Sequence, residues 1–234
     1  MQLTMFDNYN LRARLSVYMI VLSPLLLTLY FNFEVIRSLG TSIIIILFVA
    51  AFSNYFLIEE RYHRKNEKID KTAATMLYHE NTELNEETKE RYYRKLAYVD
   101  QTFLPLSSKT DNVLFKSSCD EAIIWLRNNS RDNHLVQEEN ILYGFIRNAI
   151  RARTTGLLFL ITSLIVQLFL VIQSNAIYAI EFHSTPLILI ICFDIYLTFF
   201  WTIGVTEKKR AFIARKYSIA LLSTIDSIET PSKE

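Results

Sequence analysis

Hydrophobic residues in this chain are gathered into long blocks, with a polar stretch of nearly a hundred positions between the second block and the third. Soluble helices and strands place apolar residues at a period of 3.6 or 2. The apolar runs here are roughly 17 to 22 residues long, enough to cross a hydrocarbon core of about 30 Å. The pattern predicts an all-α, polytopic membrane protein with four transmembrane helices arranged as two hairpins around a cytoplasmic helical insert, plus a C-terminal cytoplasmic helix. The boundaries read as 1–14 for a cytoplasmic lead, 15–58 for hairpin 1, 59–153 for the insert, 154–206 for hairpin 2 and 207–234 for the C-terminal helix and tail.

The first span, about Leu15 to Phe33, contains Pro24, which removes a backbone donor and predicts a kink unless Thr28 or a neighbouring helix compensates. A turn carrying Glu34 and Arg37 leads to the second span, about Thr41 to Ile58, which holds Asn54 in its second half. The third covers about Thr155 to Gln173 and includes Gln167. The fourth, about Leu187 to Val205, includes Asp194 and ends near Trp201, an aromatic suited to the membrane interface.

In the insert, periodicity predicts a charged helix over about Glu60–Glu80 and a second helix N-capped by Asn85, with Glu86 and Glu87 in its first turn. Tyr92, Leu96, Val99 and Phe103 mark the apolar face of that second helix. Pro105 and SSKTDN break the pattern; a third helix follows over about Cys119–Asn128, and NNSRDN ends it. The stretch His134–Gly156 is amphipathic at 100° per residue: Leu142, Phe145, Ile146, Ala149 and Ile150 form a stripe, with Asn140, Gly144, Arg147 and Arg151 opposite. It runs directly into the third span, so it reads as the joint between cytoplasmic sensing and the membrane. After the last span, Ile213, Tyr217, Ala220, Leu221, Thr224 and Ile228 share one helical face.

Charge changes the picture only through its distribution, because the net value is +1. Lys and Arg collect in the lead (Arg12, Arg14), at both ends of the insert (Arg61, Arg64, Lys65; Arg147, Arg151, Arg153) and after the last span (Lys208, Lys209, Arg210). By the positive-inside rule both termini and the insert are cytoplasmic. Cys119 and Cys192 read as free thiols.

Candidate chemistry is sparse. His63, His79, His134 and His183 show no metal-ligand spacing, and the four glycines are too scattered for a phosphate-cradling loop. We expect no catalytic residues, no metal, no cofactor and no enzyme. Asp194 reads either as a gating or pore-lining group, with Gln167 and Asn54, or as a neutral carboxyl that hydrogen-bonds those side chains and ties helices together. In the insert Arg91, Tyr92, Arg94 and Lys95, with Arg127, Arg131, Arg147 and Arg151, offer phosphate contacts and a stacking surface; interleaved acids and proximity to anionic lipid give the competing account.

Several strings in the insert carry a resemblance: HENTELNEETKERYYRKL, Leu104–Pro105, WLRNNSRDN and EENILYGFIRN. Together they resemble the signature blocks of bacterial four-pass transmembrane effectors of anti-phage defence, in particular the Hailong type. The chain departs from that pattern with Ser130 before Arg131–Asp132 and with Ile146 where a second arginine is usual. The resemblance implies a channel held shut by a DNA oligomer that a nucleotidyltransferase partner makes. It also implies a homo-oligomer, which we expect to be a tetramer with the pore on its axis, whose opening depolarises the membrane and arrests growth. It assigns ligand binding to Lys89 beside Arg91, Tyr92, Arg127, Arg131 and Arg147, and coupling to Asn140, Tyr143 and Asn148, near Gly144. The competing expectations are a non-conducting adaptor that recruits a cytoplasmic partner, and a transporter, for which only Pro24 speaks.

Overall fold

The computed structural model describes residues 8–32, 72–100, 102–103, 106, 112–176 and 184–228. The expected second span with Asn54, the turn before it, most of the Glu60–Glu80 stretch and the Leu104–Pro105 pair lie outside the described residues. All regular structure among those described is helical. A π-helical turn, Asn10–Leu15, leads into α1 (Ser16–Asn32). Then come α2 (Thr72–Met76), α3 (Glu86–Val99), α4 (Val113–Asn129), α5 (His134–Ala176) and α6 (Ser184–Phe199). A π-helical segment, Phe200–Gly204, closes α6, and α7 (Glu207–Ser223) ends in a 3-10 turn, Thr224–Ser227.

The chain divides into two compact units, one of Met1–Glu67 with Gly144–Arg210, the other of Lys68–Tyr143 with Ala211–Glu234. The C-terminal helix therefore belongs almost wholly with the insert. Among the described residues two helices are long and apolar enough to cross a membrane, Asn10–Asn32 and His134–Ile172; Ile188–Gly204 and Glu207–Ser227 pass the same test only taken together.

In the first unit α1 and α5 run parallel. Tyr9 and Ala13 meet Gly144, Asn148 Nδ2 donates to the Ala13 carbonyl (2.8 Å), and Thr28 meets Ser163 and Gln167. Helix α6 runs antiparallel to α5, since Asp194 meets Ser163 and Gln167 while Trp201 lies against Gly156. The packed face of α5 is Gly144, Asn148, Ala152, Gly156, Leu160, Ser163 and Gln167, a mostly small and polar stripe that lets helices approach closely. Leu158, Ile161, Ile165, Leu168 and Phe169 on α5, with Ile188, Leu189, Ile195 and Phe199 on α6, are exposed. Polar groups within the packed interior beside Leu22, Leu160 and Trp201, with a band of large apolar groups on the outer surface, suit lipid. Pro24 cannot bond the Ile20 carbonyl, and Ser23 Oγ takes that place at 2.9 Å.

The second unit is built the ordinary way, on a core that includes Leu77, Tyr93, Leu96, Phe115, Leu126 and Leu221. Asn85 caps α3 as expected, its Oδ1 accepting from Thr88 N at 2.8 Å. Helix α4 starts six residues before the expected Cys119, because Asn112 of the supposed breaker run is its N-cap, accepting from Phe115 N at 2.7 Å. Ser130 Oγ donates to the Leu126 carbonyl at the other end (2.6 Å). The expected C-terminal face is borne out at Tyr217, Ala220, Leu221 and Thr224, all buried.

Candidate functional site

Helix α3 carries the centre of the candidate ligand set, and its geometry reassigns Lys89. That side chain is fully buried, and its ammonium donates to the His79 carbonyl (3.2 Å), the Asn81 carbonyl and Glu86 Oε1 (2.9 Å). An ammonium has three donors, and here each has a partner within the protein. Lys89 is thus a staple for the turn before α3, not a phosphate ligand. Sequence alone hides this, because a lysine among Thr88, Glu90 and Arg91 reads as part of a solvated face.

Arg91 and Tyr92 are brought together, by a residue the sequence reading did not single out. Arg91 Nε lies 3.0 Å from Asp226 Oδ1, and the Tyr92 hydroxyl donates to Asp226 Oδ2 at 3.4 Å. Lys95, one turn on, donates to the Asp226 and Ile228 carbonyls at 2.7 and 3.0 Å. The C-terminal 3-10 turn therefore sits on the basic edge of α3, presenting to it one carboxylate and two carbonyls, the acceptors an anionic ligand would also offer. Burial, and then the Asp226 charge, push the Tyr92 phenol above its ordinary pKa, with Arg91 opposing. No local signal marks this arrangement, since the partners are more than a hundred residues apart.

The remaining basic candidates do not join that cluster. Arg127 is half-buried near the end of α4, and the exposed Arg131 donates to Asn128 Oδ1 at 3.0 Å. Arg147 is half-buried and Arg151 exposed, both in the other compact unit.

The coupling candidates divide similarly. Tyr143 stacks on Tyr217, ring centroids 6.0 Å apart and planes 3° from parallel, within the second unit. Asn140 is half-buried. Gly144 and Asn148 are buried against the turn that precedes α1, so Gly144 of the expected polar side packs; of the expected apolar stripe Ile146 and Ala149 are buried and Leu142 is exposed. A Cβ on Gly144 would come within 2.5 Å of the Tyr9 hydroxyl. Asn148 is a helix-to-helix tie by its hydrogen bond to Ala13.

In the first unit the gating candidates Asp194 and Gln167 do meet. Gln167 Nε2 donates to Asp194 Oδ2 at 2.7 Å, with Thr28 Oγ1 at 2.9 Å and Ser163 Oγ at 3.0 Å. Ser163 Oγ is also 2.8 Å from Thr28 Oγ1, 3.1 Å from the Pro24 carbonyl and 3.3 Å from Asp194 Oδ2. All four side chains are buried. Ser163 escapes a sequence reading because single hydroxyls are common in membrane helices, and Thr28, expected only to compensate for Pro24, bonds Ser163 and Gln167 instead. Trp201, expected at the interface, is fully buried against Gly156. Asn54 lies outside the described residues. The chain matches no family model, no curated protein and no solved structure.

Proposed function

We propose that this chain is a membrane effector of bacterial anti-phage defence. In this reading it is an oligomeric ion channel whose conductance is set through its cytoplasmic module by a nucleotide or nucleic-acid oligomer, with depolarisation and growth arrest as the outcome. The observation that carries the reading is the single helix α5, 43 residues long, whose first ten positions pack in the polar module and whose remainder is a membrane-length apolar segment. An anion that binds one state of the module better than the other biases that helix, and only such differential affinity moves the equilibrium.

Helix direction supports a four-span topology. Because α1 and α5 run parallel, both can cross a bilayer in the same sense only if the chain between them crosses an odd number of times. Thr41–Ile58 is the apolar run there of sufficient length. In this reading the antiparallel α6 returns the chain, so that both termini share the side on which Arg12, Arg14, Arg147, Arg151 and Lys208–Arg210 collect. A bacterial inner membrane, a homotetramer and a nucleotidyltransferase partner complete the proposal.

Arg91, Tyr92 and Lys95 are the anion contacts in this reading, with Asp226 as the group a ligand displaces. The test is ion flux from proteoliposomes with and without short DNA oligomers. The expected result is oligomer-sensitive flux that Arg91→Ala with Lys95→Ala makes insensitive, and whose gating Arg147→Ala with Arg151→Ala shifts. Absence of flux under every condition overturns the channel.

One observation favours the adaptor as second reading: Val113 and Leu114, consecutive apolar residues at the start of α4, are 84% and 69% exposed. An adaptor would retain its activity in cells without depolarisation, and Val113→Ser with Leu114→Ser would abolish that activity.

A further inference from the structure

The polar cluster between α1, α5 and α6 is short of hydrogens. Its donors are the Gln167 amide and two hydroxyls, and its acceptors are the Asp194 carboxylate, the Gln167 carbonyl, the same two hydroxyl oxygens and the Pro24 carbonyl. Two acceptors are left over: Asp194 Oδ1 and Gln167 Oε1 are both buried and accept no hydrogen bond. They belong to the two side chains whose other polar atoms, Oδ2 and Nε2, bond each other at 2.7 Å. The Asp194 residue is 1% exposed and Gln167 is 4% exposed.

From α1 the cluster receives Thr28 and the Pro24 carbonyl, and from α5 Ser163 and Gln167; none of these groups titrates or carries charge. Among the described residues Asp194 has no ion-pair partner. A carboxylate enclosed by apolar helices in lipid calls for a compensating charge. Oxygen-only donors of carboxylate, amide, hydroxyl and carbonyl type suit a proton or a hard cation and disfavour softer transition metals. With a single carboxylate, one positive charge makes the site neutral, whereas a divalent ion would leave a net charge buried in hydrocarbon.

We propose that Thr28, Ser163, Gln167 and Asp194 form a binding site for one monovalent cation, a proton or an alkali-metal ion, held between three membrane helices. A proton on Asp194 Oδ1 supplies the missing donor, and Gln167 Oε1 is the acceptor for it. An alkali ion instead takes both free oxygens as ligands. The site stands on geometry alone and does not depend on the channel reading, so its test needs no flux.

The full chain in detergent micelles is treated with dicyclohexylcarbodiimide, which modifies carboxylic acids in apolar surroundings, and adduct at Asp194 is read by peptide mass spectrometry. The series compares acidic with alkaline buffer in choline chloride, then choline with sodium and potassium chloride at one ionic strength. Adduct that falls as pH rises and ignores the salt identifies the proton. Adduct that sodium or potassium suppresses relative to choline identifies the alkali ion. A second measurement, the thermal midpoint of the full chain, rises with acid or with the effective salt, and Asp194→Asn, a neutral isostere that keeps a hydrogen bond to Gln167, loses that increment. Gln167→Leu loses it as well. Adduct insensitive to both pH and salt, or an increment that survives in Asp194→Asn, overturns the proposal.

Discussion

The two compact units solve the burial problem differently. In the unit containing α1, most of α5 and α6, the interior mixes Val17, Leu22, Leu160 and Trp201 with the polar Thr28, Asn148, Ser163, Gln167 and Asp194, while a large set of leucine, isoleucine and phenylalanine side chains faces outward. In the unit built on α3, α4 and α7, the interior is Leu96, Phe115, Leu126 and Leu221, and charge faces outward, with Lys89 the exception. Water drives the second arrangement. Lipid, as apolar as the side chains it meets, leaves helix association to close packing and to hydrogen bonds that need an apolar surround. A charged side chain in the interior therefore means different things in the two places: a local staple in one, a candidate ligand site in the other.

The sharpest way to break this comparison is to remove its exception. Lys89→Ala leaves the His79 and Asn81 carbonyls without their donor and a cavity where the stem lay. Each effect costs about 1–3 kcal/mol, so a loss of about 3 kcal/mol or more is expected. Glu86 adds little, being largely exposed and able to rehydrate. Lys89→Met keeps the stem and isolates the ammonium's share. Hydrogen exchange by mass spectrometry on the full chain should show lost protection in α3 and α4. A Lys89→Met variant as protected as the parent would mean the ammonium is not a staple.

Next in size comes a pair of glycines in the membrane unit. A Cβ on Gly156 falls 2.5 Å from the ring of the fully buried Trp201, which cannot yield without moving α6. Gly156→Ala should cost about 1–3 kcal/mol. At Gly204 the closest atom is 3.5 Å away, so Gly204→Ala should be neutral or stabilising by up to about 1 kcal/mol. Thermal midpoints in one detergent check both. Equal effects at the two glycines would deny the close approach of α5 and α6.

How much of this was legible follows from the range of each interaction. The apolar runs at 15–33, 155–173 and 187–205, the Asn85 cap and the buried face of α7 are local patterns, and the structure shows helices, cap and face there. Of the candidate sites, only the meeting of Asp194 with Gln167 was anticipated. Asn112 looked like a breaker, because aspartate and asparagine after a serine-rich run signal a loop and a helix start equally well. Gly144 was placed on the polar side because the helical wheel knows nothing of the turn at Tyr9–Ala13. Asp226 was invisible for the same reason, and Lys95 was read only as a phosphate contact, since folding alone brings their segments together.

A smaller effect separates the units by pH. The Tyr92 phenol is raised above its ordinary pKa, mainly by burial. The fold thus favours the neutral phenol, and that contribution is complete below the ordinary tyrosine value of about 10 and is lost as pH rises through the higher folded value. The α3–α4–α7 unit should weaken in strongly alkaline buffer, as seen by tyrosine absorbance and hydrogen exchange, and Tyr92→Phe should remove that part of the decline. A decline unchanged in Tyr92→Phe would place its cause elsewhere.

The smallest expected effect is at Asp226, and its smallness is informative. The Arg91–Asp226 pair is roughly half exposed on both sides, so solvent and salt screen it, and such pairs contribute about 0–1 kcal/mol. Asp226→Asn should lower the thermal midpoint only slightly. The 3-10 turn keeps its place, because Lys95 holds it through the Asp226 and Ile228 carbonyls, which the substitution leaves intact. A double-mutant cycle with Arg91→Ala should give a coupling below about 1 kcal/mol that shrinks as salt is added. Weak coupling is what the proposed anion site needs, since a ligand displacing Asp226 then has little to overcome, and Asp226→Asn should raise the affinity for a DNA oligomer by no more than about fivefold. A coupling well above that bound would make the turn a fixed part of the module's structure, leaving Arg91 and Tyr92 committed to the fold in the way Lys89 is.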